Sequence, residues 1–349
     1  MPVCMIGMSG GVDSSVAAYL LKEQGYDCIG VTMKLYAGSQ EGSCCTADDA
    51  ADAKSVCRRL GIPHYTFNFT AEFDRHVMAP FVSAYETGQT PNPCIACNRY
   101  LKFRALWQRA RELGCDFLAT GHYAQVCRME DRYQLKTAAD AEKDQSYVLY
   151  FLSQEQLKHT LFPLGGLTKA QVREIARQQG FVSAEKADSQ DICFVPDGDY
   201  GAFLERYTGK RYAPGPFVDS AGNVLGEHRG AVRYTLGQRK GLGVPAETRL
   251  YVTGKDMEKN TVTLGSNAEL FTGQLTARDV CLTAEDAPAD GQRLAAKVRY
   301  RQSPQPCRVY HTGPGEIRVE FEEPQRAVTA GQAVVLYDGD TVVGGGTIQ

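Results

Sequence analysis

Apolar positions in the first half of the chain alternate between two rhythms. Val3–Met8 is a short, nearly unbroken apolar run, and Val12–Gln24 follows it with Val16, Leu20 and Leu21 at helical spacing before Gly25. The alternation continues through a strand at Cys28–Met33 and a helix at Ala47–Leu60, stopped by Gly61-Ile62-Pro63. A strand at His64–Phe69, helices at Ala71–Thr87 and Asn98–Leu113, and a strand at Asp116–Thr120 complete it. Short apolar strands separated by helices predict crossover units and a parallel sheet covered on both faces. Gln125–Thr137 reads as a hairpin turning at Glu130-Asp131. Thr168 caps a helix running to about Gln179, with Gly180 as its stop.

Beyond residue 197 the rhythm changes. Gly and Pro become frequent, and from Arg249 onward short strands alternate with turns such as Gly313-Pro314-Gly315 and Asp338-Gly339-Asp340. This pattern predicts a small antiparallel barrel or sandwich at the C-terminus. The fold class is therefore α/β, in three parts: a parallel-sheet nucleotide domain over 1–197, a small mixed domain over 198–270 and a β-barrel over 271–349.

Composition adds three constraints. A chain of 349 residues has no apolar run of the ~18 needed for a membrane span, so no membrane association is expected. The N-terminus enters a strand directly, with no leader pattern, and the cytoplasm is the expected compartment. Twelve cysteines in such a chain are better read as thiols, metal ligands or catalytic pairs than as disulfides. Cys4, Cys28, Cys57, Cys115 and Cys281 lie in apolar or helical surroundings and read as buried hydrophobes. The net charge of −3 argues against nucleic acid when taken alone. Two local runs without intervening acids, Arg229, Arg233, Arg239 and Lys240, then Arg293, Lys297, Arg299, Arg301 and Arg308, argue the other way.

Candidate chemistry begins at Ser9-Gly10-Gly11-Val12-Asp13-Ser14, between the first strand and the first helix. Two glycines let backbone approach an anion closely, and the first N–H groups of a helix have no internal partner. A phosphate held there gains those donors and the helix dipole. Ser9, Ser14 and Ser15 add hydroxyls, and Asp13 is placed to organise the turn or help hold Mg²⁺. The lysine of a P-loop is missing from this stretch.

Two cysteine contexts follow. Thr90-Pro91-Asn92-Pro93-Cys94-Ile95-Ala96-Cys97-Asn98 puts Cys97 at or near a helix start, where the dipole and Lys102 would favour the thiolate. A redox pair or half a metal site are the alternatives for Cys94 and Cys97, although no second C-x-x-C completes a zinc site. Asp188-Ser189-Gln190-Asp191-Ile192-Cys193-Phe194 has a polar flank that predicts an accessible Cys193. A nucleotide loop with two separated thiols suggests sulfur transfer, one cysteine carrying a persulfide and the other resolving the bond.

The loop resembles that of the ATP-pyrophosphatase superfamily, whose members split ATP between the α- and β-phosphates. Gly7–Ser15, Thr90–Phe103, Gly121-His122-Tyr123, Lys143–Tyr147, Ile192–Phe194, Thr235–Gly243 and Arg299–Gln302 recur in order, and together they resemble the bacterial tRNA 2-thiouridylase family over essentially the whole length. The resemblance implies an adenine nucleotide alpha hydrolase-like fold and adenylation of O2 of the wobble uridine in tRNAs for Lys, Glu and Gln. A persulfide sulfur then displaces AMP. It implies Cys97 as the catalytic cysteine and Cys193 as the persulfide carrier. Gly7, Met8, Ser9, Gly10, Gly11, Val12, Asp13, Ser14, Met33 and Gly121 would surround ATP and its Mg²⁺. Asn92, Pro93 and Cys94 would meet the target base, and His122, Lys143, Asp144, Gln145, Arg299, Tyr300 and Gln332 the tRNA. Read as a residue alone, His122 equally suits a hydrogen-bonded structural histidine. The implied sulfur donor is a cysteine desulfurase or a relay protein.

Cys94 stands where some relatives carry an aspartate, so Cys94, Cys97 and Cys193 also offer three thiolates for an iron–sulfur cluster. Rival readings are an amidating synthetase on the same loop and a tRNA- or metal-binding module with a vestigial loop. Cys44-Cys45 suggests no role.

Overall fold

A computed structural model describes residues 1–36, 47–186, 192–284 and 287–349. Cys44-Cys45 and the stretch Asp188–Asp191 lie outside the described residues. The N-terminal half is organised by a five-stranded parallel sheet in the order His64–Asn68, Asp27–Lys34, Val3–Gly7, Phe117–Ala119, Thr160–Leu161. Cys4, Met5 and Ile6 in the central strand are all fully buried, because both faces of the sheet are covered. Met5 packs with Phe73, Phe81 and Leu101 from the helical segments 70–86 and 93–112 on one side. Cys4 and Ile6 pack with Val16, Val56 and Val172 from helices Val12–Glu23, Ala47–Leu60 and Lys169–Gln178 on the other. The chain runs from Val3–Gly7 outward to Asp27–Lys34 and His64–Asn68, then returns to Phe117–Ala119 on the opposite flank. That reversal opens a crevice at the carboxyl ends of Val3–Gly7 and Phe117–Ala119, where open parallel sheets bind ligands.

The helical segments 70–86 and 93–112 contain π-helical stretches at Asp74–Met78 and Cys97–Leu106. The second helix starts at Pro93, a turn earlier than the apolar spacing suggested, because Asn92 caps it. Cys4, Cys28, Cys57 and Cys115 are buried as expected, and burial pushes the Cys28 thiol up to about 11 and that of Cys57 to about 12. Cys281 is only half-buried, at the surface of the barrel. No helix among the described residues is long and apolar enough to cross a membrane.

The middle of the chain forms a four-stranded sheet around Phe217, Tyr234, Val252 and Val262. It is mixed, since Thr261–Gly265 runs parallel to Gly215–Val218 and the other pairs are antiparallel. The C-terminal strands close into an antiparallel barrel when Phe271–Leu282 pairs with Thr341–Ile348 at Ala277↔Ile348 and Leu282↔Gly344. Leu275, Val309, Val319 and Leu336 fill it.

The hairpin Gln125–Met129 and Arg132–Lys136 forms with its turn where expected, Glu130 taking φ 52°. It does not join the parallel sheet, however. It extends the barrel's sheet through Thr341↔Lys136, and Lys136 pairs with Asp340 at 3.2 Å. Buried polar contacts seal the same junction: Tyr147 donates to the carbonyl of Ala333 at 2.8 Å, and Lys297 meets Asp144 at 3.2 Å. Barrel and nucleotide domain are thus one packed unit.

Candidate active site

The nucleotide loop follows the central strand at the crevice. Helix Val12–Glu23 begins at Gly11 without any side-chain cap, so its first N–H groups have no side-chain acceptor. The serines instead shape the loop: Ser14 and Ser15 donate to the carbonyl of Gly11 at 3.1 and 2.9 Å, and the backbone N–H of Ser9 donates to Ser14 Oγ at 3.2 Å. Gly10 takes φ +74°, and a Cβ there would lie 2.3 Å from the carbonyl oxygen of Asp49. Only glycine meets both demands. An uncapped helix start behind a glycine turn is an anion site by geometry.

Asp13 is tied to two distant parts of the chain. Its Oδ1 accepts from Tyr123 Oη at 2.8 Å, and both its oxygens accept from Lys169 Nζ at 2.7 and 2.8 Å. Lys169 sits in the first turn of its helix, where a cation opposes the dipole. That mismatch between charge and position is the sequence signal that would have marked it as a partner for an acid.

The run 120–123 after the fourth strand of the sheet connects the loop to the cysteine helix. Gly121 presses on the start of helix Val12–Glu23; a Cβ there would lie 2.8 Å from the backbone of Asp13 and Ser14. His122 is 7% exposed and held between Thr120 Oγ1 at 2.6 Å and Lys102 Nζ at 3.4 Å. Burial, aided by the Lys102 charge, drives its pKa well below the ordinary value, so the imidazole is neutral. Its Nε2 then accepts from Lys102 while Nδ1–H donates to Thr120. His122 therefore bridges Thr120 and Lys102 between the nucleotide loop and the cysteine helix. Tyr123 exchanges hydrogen bonds with Gln145, its N–H donating to Oε1 at 3.0 Å and its carbonyl accepting from the Gln145 N–H at 2.8 Å.

Asp144 is buried and accepts from the N–H groups of Ala138 and Ser146, from Ser146 Oγ and from Lys297 Nζ. Its carboxylate thus sits at the junction between the nucleotide domain and the barrel. Lys143, beside it, is half-buried.

The thiols lie around the other end of the cysteine helix. Asn92 Oδ1 accepts from the N–H of Cys94 at 3.1 Å, Pro93 is buried and Cys94 is exposed. Cys97, half-buried, sits beyond the first turn, where the dipole has largely faded, and Lys102 leans on His122. Cys193 is half-buried too, and Phe194 beside it is 3% exposed against Phe73, Phe81 and Phe203, with ring centroids 5.1–5.7 Å away. Cys97 and Cys193 both border the apolar cluster that covers the face of the sheet bearing Met5. Among the described residues no three His, Cys, Asp or Glu side chains are gathered to hold a metal ion.

The barrel completes this rim. Gln332 Nε2 donates to the carbonyl of Thr90 at 2.6 Å, and the N–H of Thr90 donates to Ala330 at 2.9 Å. Tyr300 is 37% exposed, and its hydroxyl is pushed up to about 12 by burial and by the charges of Asp144 and Cys94. Arg299 donates to the carbonyl of Ala327. Met33, next to last in the neighbouring strand, is buried. Of the basic runs, Arg233 pairs with Asp199 and Glu205, Arg293 with Glu322, and Lys297 with Asp144. Arg229, Arg239, Lys240 and Arg301 are exposed.

Known proteins match along the entire chain. The family described as "tRNA methyl transferase HUP domain" matches residues 3–197, "tRNA methyl transferase PRC-barrel domain" residues 201–266 and "Aminomethyltransferase beta-barrel domain" residues 272–348. A protein of Lachnoclostridium phytofermentans named tRNA-specific 2-thiouridylase MnmA is 50% identical over 355 residues, covering 100% of this chain and 99% of its own. The protein of the same name from Clostridioides difficile is 49% identical over 351 residues, covering 99% of this chain and 97% of its own.

Proposed function

The chain belongs to the tRNA-specific 2-thiouridylase family, and from that premise we propose how its residues divide the work of an ATP-dependent tRNA uridine 2-sulfurtransferase. The family descriptions speak of methyl transfer, whereas the relatives are named for thiolation. The residues favour thiolation, because a methyl donor arrives already activated and needs neither an ATP loop nor paired thiols.

The observation that carries the reading is the continuity from the uncapped loop, through Gly121 and His122, to the helix bearing Cys97. ATP lies at the crevice with its phosphates on the loop Gly7–Ser14, beside Met33 and Gly121. Mg²⁺ held with the nucleotide at Gly7–Ser14 would offset phosphate charge and ease loss of pyrophosphate, while Asp13 stays with Lys169 and Tyr123. The wobble uridine of tRNAs for Lys, Glu and Gln leaves its stack and enters over Asn92, Pro93 and Cys94. Its O2 attacks the α-phosphorus, the bond to the β-phosphate breaks, and pyrophosphate leaves. The terminal sulfur of a Cys193 persulfide then adds at C2 and AMP departs with the oxygen. Cys97 attacks the Cys193 sulfur and releases 2-thiouridine, leaving a Cys97–Cys193 disulfide for an external dithiol to reduce. The persulfide is supplied by a cysteine desulfurase or relay protein. Arg229, Arg239, Lys240, Arg301 and Tyr300 offer the exposed surface for the tRNA, with Lys143, Gln145, Arg299 and Gln332 supporting it from beneath. The units 1–197, 198–270 and 271–349 belong to the same proposal, supported by the three separate sheets.

The test is mass analysis of tRNA nucleosides after incubation with ATP, Mg²⁺, unmodified tRNA and a persulfide source. Wild type should form 2-thiouridine with AMP and pyrophosphate, and Cys97→Ser and Cys193→Ser should each form none. Full thiolation by either variant would sink these assignments.

A further inference from the structure

The ion pairs of Lys186 have no part in the roles above. Two segments converge on the nucleotide loop from outside it. The backbone of Asp49, in the first turn of helix Ala47–Leu60, packs directly on Gly10. The turn 183–186 reaches the same place: Ser183 Oγ lies 3.2 Å from Ser15 Oγ, which donates to the carbonyl of Gly11. Arg173 fixes that turn by donating to the carbonyls of Ala184 and Lys186 at 3.0 and 3.2 Å. From it Lys186 extends its ammonium to Asp49 Oδ1 at 2.5 Å and Asp52 Oδ2 at 3.1 Å, with 38% of the side chain exposed.

We propose that Lys186 is a pyrophosphate-binding residue, parked on Asp49 and Asp52 when the loop is empty and carried onto the β- and γ-phosphates when ATP binds. The loop sequence lacks the lysine with which a P-loop meets those phosphates. Backbone N–H groups supply only partial charge, whereas breaking the α–β bond leaves a highly charged leaving group that a full cation stabilises. A flexible stem and three donors suit an ammonium to exchanging one set of oxygens for another. Lys169, the other lysine at the loop, is unsuited, since both oxygens of Asp13 hold it and its side chain is 11% exposed.

The proposal rests on the splitting of ATP to AMP and pyrophosphate, and the experiment separates the two. Wild type lacking tRNA-dependent pyrophosphate release would overturn that reaction, whatever Lys186 does. With release established, inhibition by pyrophosphate and by AMP is measured separately for full-length wild type, Lys186→Gln, Lys186→Arg and Asp52→Asn. Lys186→Gln should weaken pyrophosphate inhibition and raise the KM for ATP about tenfold or more, the scale of one charge-assisted hydrogen bond, and leave AMP inhibition within about twofold. Lys186→Arg should recover most of the loss. Asp52→Asn should bind pyrophosphate at least as well as wild type, because it removes a competitor for the ammonium. Equal effects on AMP and pyrophosphate, no effect on either, or an Asp52→Asn variant that copies Lys186→Gln would reduce Lys186 to a tether for the helix.

Discussion

At the scale of single residues, the structure separates side chains that face the crevice from those that hold it. Glycines were legible in the sequence: a strand, two glycines and a helix imply an anion site, and Gly10 and Gly121 sit where a Cβ would strike backbone. The partners of Asp13 were not legible, since Tyr123 and Lys169 are 110 and 156 residues away and only folding brings them to one carboxylate. A hydrogen-bonded histidine was one reading of His122, but its partners Thr120 and Lys102 were not named by the sequence. Its burial has a measurable consequence. An unfolded histidine protonates near pH 6.5, whereas in the fold protonation is pushed well below that. The contribution is therefore complete above about pH 6.5 and is lost as pH falls, because the unfolded chain takes up the proton first. His122→Gln keeps an acceptor for Lys102 and a donor for Thr120 but does not titrate. Thermal midpoints between pH 5 and 7.5 should fall less steeply in His122→Gln than in wild type; parallel curves would show that His122 contributes nothing to acid lability.

At the scale of elements, helix starts and turns were readable where a side chain advertises them. Thr168 caps its helix as expected, in a capping box completed by Gln171, and Glu130 turns the hairpin. The start of the cysteine helix was misplaced because two prolines suggested an extended approach, while Pro93 occupies its first position, where a missing N–H costs nothing. Residues 192–199, which carry Cys193, are short of regular structure, and buried Phe194 and Val195 anchor them in the core. Phe194 fills a socket made by Phe73, Phe81 and Phe203 from two separate helices. Phe194→Leu keeps an apolar plug with a looser fit. The expected outcome is that pyrophosphate release persists while 2-thiouridine formed per pyrophosphate falls several-fold, because Cys193 is displaced and the nucleotide loop is not. A proportional fall in both products would place Phe194 in general stability instead.

At the scale of the whole molecule, the barrel is part of the catalytic half. Lys297 and Asp144, with 10% and 5% of their side chains exposed, form a buried ion pair across the junction. Removing one partner of such a pair strands the other charge and costs about 3–5 kcal/mol. Lys297→Met should lower the urea midpoint accordingly, and adding Asp144→Asn should restore part of the loss, since asparagine still accepts from Ala138 and Ser146. A double variant no better than Lys297→Met would show that the charges are uncoupled. The three-part architecture was legible from the change of rhythm after residue 197, but this junction was not, because periodicity reports faces and never which faces meet. The hairpin at 125–136 is the clearest case, lying in the first half by sequence and in the barrel's sheet by hydrogen bonding. Lys136 and Asp340 are 204 residues apart. At a ribosome adding roughly 5–20 residues per second, the hairpin emerges some 10–40 s before its neighbouring strand exists. Throughout that interval a nascent chain exposes an unpaired strand edge and has no Gln332 to hold Thr90, so the enzyme cannot acquire its thiol rim before the barrel has been synthesised.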